Sequence, residues 1–227
     1  LHESQVSMLW HRGLPEKRFF TGSRSGALIP WNLHMERNVV SERYKPCMDL
    51  KWQVFGEKNK QAITCMMPWE NKIICGSMAS TRNIAVLDVE RQIAMAPCGK
   101  AEPAPETLRA DEIKEGHKLG VLALARNDYS DVIVSAGFER VPFVWVLKLQ
   151  NFQPWKLQDK HDPHRGDING LFSPANTPQI ISSDTRGVIK VWDIRTFHCV
   201  QTLYCDKRKP DRPETEMEAK LFYSSVT

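Results

Sequence analysis

The sequence predicts an all-β fold built from about four copies of a four-stranded antiparallel unit. Two observations carry this prediction. Four short runs each place two large apolar residues beside small ones and before a turn, and each is followed by a second run rich in β-forming residues. In three of the copies, a tryptophan of the second run follows a small hydroxyl residue of the first run by ten positions: Thr21 and Trp31, Ser135 and Trp145, Ser182 and Trp192.

Each copy is predicted to contain a hairpin made of these two runs. The first runs cover residues 18–23, 72–77, 132–137 and 179–184, and the second runs cover 27–33, 83–89, 142–148 and 187–194. The second copy is the weakest, because its interval runs from Cys75 to Leu87 and is two residues longer. Charged residues or glycine separate the two runs, as expected for a tight turn.

A first strand is predicted upstream of each hairpin. His117 and His164 each precede the serine of their own copy by eighteen positions, and a β-branched residue follows each histidine after four positions. The first strands are therefore expected to begin at Val6, Ile63, Val121 and Ile168. A fourth run completes each unit, at residues 38–43, 92–96, 153–157 and 199–204.

Units of four strands and roughly 40–60 residues are typical of β-propeller blades, which bury their sheet faces by stacking side by side. A closed ring normally takes about seven blades, so we expect a larger ring and a chain that continues beyond both ends. Segment 44–57 lies outside the repeat and is expected to add a strand or to cover the blade edge. The predicted organisation is a partial propeller at 1–205, with blades near 1–45, 58–97, 116–159 and 163–205, an insertion at 98–115, a charged linker at 206–218, and the start of a further strand or blade at 219–227.

Three dipeptides connect the repeat to a known family. Trp192-Asp193 is a Trp-Asp ending, Trp31-Asn32 is a near one, and Gly116-His117 matches a Gly-His opening. The chain resembles the WD40 β-propeller family over nearly all of its length. The resemblance implies structural roles for the recurring residues, with the histidines pinning loops between blades and the tryptophans in the core: His117, His164, Trp31, Trp145, Trp192 and Asp193.

The family joins its histidine, serine and tryptophan to a turn aspartate in a hydrogen-bond network. The position six residues before the tryptophan, where that aspartate usually stands, holds Ser25, Glu139 and Arg186 in copies one, three and four. We therefore expect these blades to depend on packing more than on the network.

Two segments are similar to large ciliary and flagellar WD-repeat proteins, some of which carry an EF-hand segment. They are residues 177–202 and residues 136–140. This resemblance implies a structural component of the ciliary axoneme or of another microtubule assembly, located in the cytoplasm and cytoskeleton, with tubulin or axonemal proteins as partners. The alternative is an adaptor of a non-ciliary complex, such as a ubiquitin ligase, a trafficking coat or a ribosome-assembly complex. No calcium-binding loop occurs, so calcium binding is not carried over.

Composition and motifs argue against several other classes of function. The 31 Lys and Arg exceed the 27 Asp and Glu by only four, too few to indicate nucleic-acid binding. The longest apolar stretch, residues 141–147, is far shorter than the roughly twenty residues of a membrane span. Because no zinc, phosphate-loop or nucleophile motif occurs and the strand starts nearest the axis are apolar, we expect no metal, cofactor, small-molecule substrate or catalysis. The cysteine spacing favours a reducing compartment.

An arginine lies in the turn between the second and third strands of every predicted blade. These arginines are Arg24, Arg82, Arg140 and Arg186. Blade symmetry would place them near one rim, where a cationic arc could dock on an acidic partner and increase the association rate. The alternative is that they are ordinary solvated turn residues.

Overall fold

The structure is a computed structural model. It describes residues 6–10, 18–34, 43–46, 52–55, 61–70, 72–78, 83–88, 106–107, 116–146 and 153–205. Regular secondary structure in these ranges consists of strands, and no helix there is long and apolar enough to cross a membrane.

Four antiparallel sheets follow one another along the chain, and we call them blades one to four. Blade one contains β1 (Val6–Trp10), β2 (Arg18–Ser23), β3 (Ala27–His34), β4 (Arg43–Pro46) and β5 (Trp52–Gln53). Blade two contains β6 (Ile63–Trp69), β7 (Lys72–Ser77), β8 (Ile84–Asp88) and β9 (Glu106–Thr107). Blade three contains β10 (Val121–Asn127), β11 (Val132–Gly137), β12 (Phe143–Trp145) and β13 (Trp155–Lys156). Blade four contains β14 (Ile168–Phe172), β15 (Gln179–Asp184), β16 (Val188–Asp193) and β17 (His198–Tyr204).

The all-β fold class and its four blades are confirmed. The first strands begin at the four predicted residues, and the second strands have the predicted bounds in every blade. Hairpins account for this agreement, because adjacent strands of each blade pair in sequence order and a short turn joins the second strand to the third. The turns of blades one and four contain equivalent glycines with positive φ, Gly26 at 78° and Gly187 at 76°, a conformation that favours glycine.

The predictions for two strands outside the regular hairpins have different outcomes. The extra strand expected within segment 44–57 is confirmed: β5 pairs with β3, and the following Val54 and Phe55 are buried in the core. The predicted fourth strand of blade two at 92–96 lies outside the described residues. The partner of β8 is instead β9, inside the segment predicted as an insertion. A two-residue strand carries too little pattern to be recognised in sequence.

The blades stand side by side, and their first strands meet in chain order. β1 contacts β6, β6 contacts β10, and β10 contacts β14. A separate apolar core fills each space between neighbouring blades. Phe20, Leu28, Ile73 and Leu87 join blades one and two; Ile74, Val121, Ile133 and Trp145 join blades two and three; Val134, Leu157, Ile180 and Trp192 join blades three and four. Neighbouring sheets therefore bury their facing surfaces against each other, as stacked blades require.

We call the two ends of the blades the upper and lower faces. The upper face carries the turn between the second and third strands and the start of the first strand, and the lower face carries the remaining turns. A buried amide joins blades three and four at the lower face: Asn127 Nδ2 donates to Ser173 Oγ at 3.0 Å and to the Thr177 carbonyl at 2.8 Å. This polar contact fixes the position of one sheet against the next where the apolar core ends.

Adjacent residues of β15 test whether stability lies between the blades. Ile180 is fully buried in the core against blade three, whereas Ile181 points to the opposite face and is half-buried. Ile180→Ala should reduce the free energy of unfolding by about 2–5 kcal/mol, since it leaves a cavity. The matched variant Ile181→Ala should cost less than half as much. Equal losses, measured by urea denaturation followed through tryptophan fluorescence, would contradict the assigned face.

Candidate functional site

The upper face of blade four contains a complete histidine network. Trp192 Nε1 donates to Ser182 Oγ at 2.8 Å, and His164 Nε2 lies 2.6 Å from the same hydroxyl. The other ring nitrogen of His164 lies 3.1 Å from Asp184 Oδ2. All four side chains are buried, so each hydrogen bond satisfies a polar group that water cannot reach.

Blade three contains the same network with a glutamate in place of the aspartate. Trp145 Nε1 donates to Ser135 Oγ at 2.7 Å, and His117 Nε2 lies 2.7 Å from that hydroxyl. His117 Nδ1 lies 2.6 Å from Glu139 Oε2. The doubt about the network in blades three and four is therefore wrong, since both blades contain it.

In blade three the acid stands at the expected turn position but is a glutamate, and in blade four the aspartate stands two positions before the expected one. Asp184 follows the serine of its blade by two positions, whereas Glu139 follows its serine by four. The longer glutamate side chain spans the extra distance to the histidine. Position 186 of blade four, six residues before Trp192, holds an exposed arginine instead of an aspartate.

Blade one keeps part of the arrangement. Trp31 Nε1 donates to Thr21 Oγ1 at 2.8 Å, so its tryptophan is anchored like the other two. Ser23 occupies the position of Asp184 and has the same local role: its hydroxyl accepts the Ala27 N–H at 3.2 Å, as Asp184 Oδ1 accepts the Val188 N–H at 2.9 Å. Trp145, Trp192, His117 and His164 are buried, as their predicted structural roles require, whereas Trp31 is only partly buried. Asp193 also acts within its own blade, because its carboxylate accepts from the backbone and side chain of Arg195 in the β16–β17 turn.

The proton positions follow from the partners. The serine hydroxyl accepts the tryptophan N–H and therefore directs its own proton to His Nε2, which leaves the proton of the ring on Nδ1, facing the carboxylate. Serine, histidine and an acid in this order resemble a hydrolytic triad. Ser135 and Ser182 are fully buried, however, and their hydroxyls are already held by tryptophan. The arrangement therefore supports the fold and gives a substrate no access to the hydroxyl.

The same two carboxylates fix the loops of the upper face. Glu139 Oε1 accepts the Lys118 N–H at 2.6 Å and the Leu119 N–H at 2.5 Å, and Asp184 Oδ2 accepts the Arg165 N–H at 2.9 Å and the Gly166 N–H at 3.1 Å. Partial burial acts to raise the pKa of the Glu139 carboxyl. The hydrogen bonds with His117 and the Leu119 N–H outweigh this effect, so the pKa is lowered from its ordinary value. The pKa of Asp184 is lowered in the same way, by backbone N–H groups and His164 acting against burial.

Three of the four predicted arginines lie on the upper face. Arg24, Arg140 and Arg186 occupy the turns between the second and third strands and are exposed, while Arg82 lies outside the described residues. Arg140 Nε is 3.6 Å from Asp167 Oδ1, so this arginine also links blade three to blade four. The arginines do not share one turn position, since they follow the small residue of their blade by three, five and four positions.

Blade four also contains a buried lysine that the repeat pattern does not predict. Lys190 has no exposed surface, and its Nζ lies 3.2 Å from Asp159 Oδ2, 3.5 Å from Asp162 Oδ2 and 2.9 Å from Thr202 Oγ1. The equivalent positions of the other blades hold Ile29, Ala85 and Phe143. In the sequence, the only indication of this contact is a lysine at a position where the other blades have apolar residues. Lys190 anchors the segment that leads from blade three to blade four.

Within the described ranges, no group of three or more His, Cys, Asp or Glu side chains is arranged to hold a metal ion. Cys65 and Cys75 are free thiols of blade two. Burial raises the pKa of Cys65 to about 12, against the weaker effect of hydrogen bonds from Thr64 and Gly76. A thiol of such high pKa is a poor nucleophile at neutral pH.

Comparisons with known proteins identify the fold and no closer relationship. No protein-family model matches the sequence, and no curated protein matches it. Among solved structures 1121 chains match, including Raptor of Chaetomium thermophilum, with a TM-score of 0.64 and 14% sequence identity. That likeness covers 91% of this chain but only 17% of Raptor. At such low identity the likeness supports the arrangement of the blades, and nothing about a partner follows from it.

Ser182 tests the contribution of the network to stability. Ser182→Ala should reduce the free energy of unfolding by about 2–4 kcal/mol, because the Trp192 N–H and the His164 nitrogen both lose their partner in a buried site. The neighbouring Ser183 is half-buried on the opposite face, so Ser183→Ala serves as the control and should change stability by less than about 0.5 kcal/mol. Urea denaturation measures both variants, and equal stability of the two would contradict the assigned role.

The network also predicts a pH dependence of stability. Burial lowers the pKa of His164 below its ordinary 6.5, against the opposing effect of Asp184, so the unfolded chain binds the proton more readily than the folded protein. Stability should therefore be fully present above pH 6.5 and fall as the pH decreases through that value. A second loss should follow as the pH falls below the ordinary carboxyl values of 4.5 for Glu139 and 3.8 for Asp184, whose folded pKa values are lowered.

Denaturation midpoints measured from pH 8 to pH 3 test this dependence. His164→Phe should be less stable at pH 8 than the unmodified protein and should lose less stability between pH 7 and pH 5.5. His161→Gln, at an exposed position of the preceding loop, is the matched control. A fall of unchanged steepness in His164→Phe would show that other groups cause it.

Proposed function

We propose that this chain is a non-catalytic scaffold that binds an acidic protein partner through its upper face. The observation that carries the proposal is the placement of Arg24, Arg140 and Arg186 in three exposed turns of the same face. Positive side chains arranged this way attract and orient a partner of opposite charge.

Arg140 stands in its exposed turn in a strained backbone conformation. Its φ of 59° lies in the left-handed region, which costs a residue other than glycine roughly 1–2 kcal/mol. Blade four has glycine with positive φ in the corresponding turn, at Gly187, so the repeat accepts a less strained residue there. An arginine retained at a strained, exposed position is typical of a functional surface.

The proposal includes no catalytic role. The serine–histidine–acid groups of blades three and four are closed to substrate, because their serines are buried and bonded to tryptophan. The first strands begin with buried apolar residues at Ile63, Val121 and Ile168, which offer no general acid, base or nucleophile. Proteins, rather than small molecules or nucleic acids, are the proposed partners.

We further propose that the partner belongs to the ciliary axoneme or another microtubule assembly, which would place the protein in the cytoskeleton. The support is the resemblance of segments 177–202 and 136–140 to ciliary WD-repeat proteins, together with the acidic tails of tubulin. An adaptor role in a ubiquitin ligase, a trafficking coat or a ribosome-assembly complex is the second candidate. Its partner would also meet the upper face, so the two candidates differ in the identity of the acidic protein.

Microtubule co-sedimentation tests both the partner and the arginines. The full chain should pellet with microtubules, and reversing all four charges with Arg24→Glu, Arg82→Glu, Arg140→Glu and Arg186→Glu should weaken binding at least about tenfold, since favourable charge pairs become repulsive. Microtubules whose acidic tails have been removed by protease should bind weakly as well. The control is Arg195→Glu, which reverses an exposed arginine of the lower face.

The outcomes separate the parts of the proposal. Failure of the unmodified chain to pellet would overturn tubulin as the partner and favour the adaptor. Pelleting that the four substitutions leave unchanged would overturn the role of the arginines. Circular dichroism and a denaturation curve of each variant verify that the blades remain folded.

A further inference from the structure

Two exposed apolar side chains lie on the upper face where blades two and three meet. Met78 directly follows β7 and is 51% exposed, and Leu119 lies two residues before the start of β10 and is 53% exposed. Half-buried Phe138 follows β11 at the same end. Large apolar side chains exposed together are typical of interaction sites, whereas single ones are ordinary surface residues.

Gly120 brings the chain segments that carry these three residues close together. A β-carbon placed on Gly120 would lie 2.9 Å from Met78 Cα and 3.0 Å from Cδ2 and Cε2 of the Phe138 ring. The Gly120 carbonyl also accepts the Phe138 N–H at 3.2 Å. We call Met78, Leu119 and Phe138 the apolar patch, since Gly120 brings the three chain segments together.

The repeat itself does not require apolar residues at these positions. Met78 and Phe138 follow the small residue of their blades by three positions, where blades one and four have Arg24 and Thr185. Leu119 follows the blade-three histidine by two positions, where blade four has Gly166. Blades one and four form the same sheets with polar residues or glycine there, so the apolar patch is a property of the blade-two to blade-three junction.

The loop that carries Leu119 is held in place before any partner arrives. Glu139 Oε1 accepts both the Lys118 and the Leu119 N–H groups, and its other oxygen is bonded to buried His117. The exposed side chain therefore stands on a backbone fixed from the core. An anchor that is already ordered loses little conformational freedom on binding.

Positive charge borders the apolar patch. Lys118 is exposed beside Leu119. Arg140, two residues from Phe138, is also exposed, with its Nε 3.6 Å from Asp167 Oδ1. The nearby Glu139 carboxylate is bonded to His117 and the two N–H groups, and its side chain is only 16% exposed. A partner that covers this surface needs an apolar side chain for the centre and carboxylates for the border.

We propose that the apolar patch, with Lys118 and Arg140, binds a short segment of a partner protein in which one bulky apolar side chain is flanked by acidic residues. The inference rests on the proposed function, to which it adds the chemical character of the bound segment. In this arrangement the apolar residue supplies affinity by burial, and the flanking carboxylates supply orientation.

Fluorescence polarisation with nonamer peptides tests the proposal directly. The probes contain Asp and Glu at eight positions and Leu, Phe, Met, Ser or Gly at the centre. The full chain should bind peptides with an apolar centre at least about tenfold more tightly than those with Ser or Gly. That preference should disappear in the double variant Met78→Thr, Leu119→Gly, which introduces the residues that blade four carries at the two positions.

Val200→Thr is the matched control, since Val200 is 61% exposed on β17 of blade four. It should keep the full preference. A preference that is absent in the unmodified chain, or that survives in the double variant, overturns the proposal. So does self-association of the chain that the double variant abolishes, because the patch would then bind a second copy.

The same titrations distinguish this proposal from the proposed function. The ratio of the affinities for peptides with apolar and with polar central residues reports on the apolar patch. The overall affinity for these acidic peptides, whatever their central residue, reports on the arginines. If Arg24→Glu with Arg186→Glu leaves every affinity unchanged while the ratio persists, the arginine surface fails and the apolar patch stands. If those substitutions weaken all the peptides but the ratio is one, the reverse holds.

Discussion

A buried serine hydroxyl between a tryptophan and a histidine is the interaction on which the upper face of blades three and four depends. The tryptophan comes from the third strand of the blade, the serine from the second strand, and the histidine from the segment before the first. None of the three side chains reaches water, so each must find its partner inside the protein. The bonds therefore define how these three parts of the blade meet.

The carboxylate at the end of each network connects the core to the surface. One oxygen of Glu139 faces buried His117, and the other holds the backbone N–H groups of the loop outside. The loop that enters blade three is consequently positioned from within. The scaffold and the surface that it presents are thus parts of one hydrogen-bonded unit, and a change in the core is expected to alter the loops.

Strands were predictable from sequence where the pattern is repeated and local. The hairpins of all four blades and the start of each first strand follow from the spacing of small residues, tryptophans and β-branched residues. Contacts that arise from side-chain length were not predictable in this way. Glu139 and Asp184 bind equivalent histidines from different turn positions, so the expectation of an aspartate at one fixed interval identifies neither: Glu139 stands at that interval as a glutamate, and Asp184 stands two residues before it. Lys190 binds carboxylates in a segment that has no repeat pattern. Met78 and Leu119 are apolar and would be expected in the core from sequence, but the fold exposes both on the upper face.

The complete enclosure of Lys190 has a consequence for chemical labelling. An amine with no accessible surface, bonded to Asp159 and Thr202, cannot meet an acylating reagent or a protease while blade four is closed. Exposed amines such as that of Lys118 react throughout. The rate at which Lys190 becomes labelled would therefore report the rate at which blade four opens, and the measurement would need no added fluorophore or substitution in the chain.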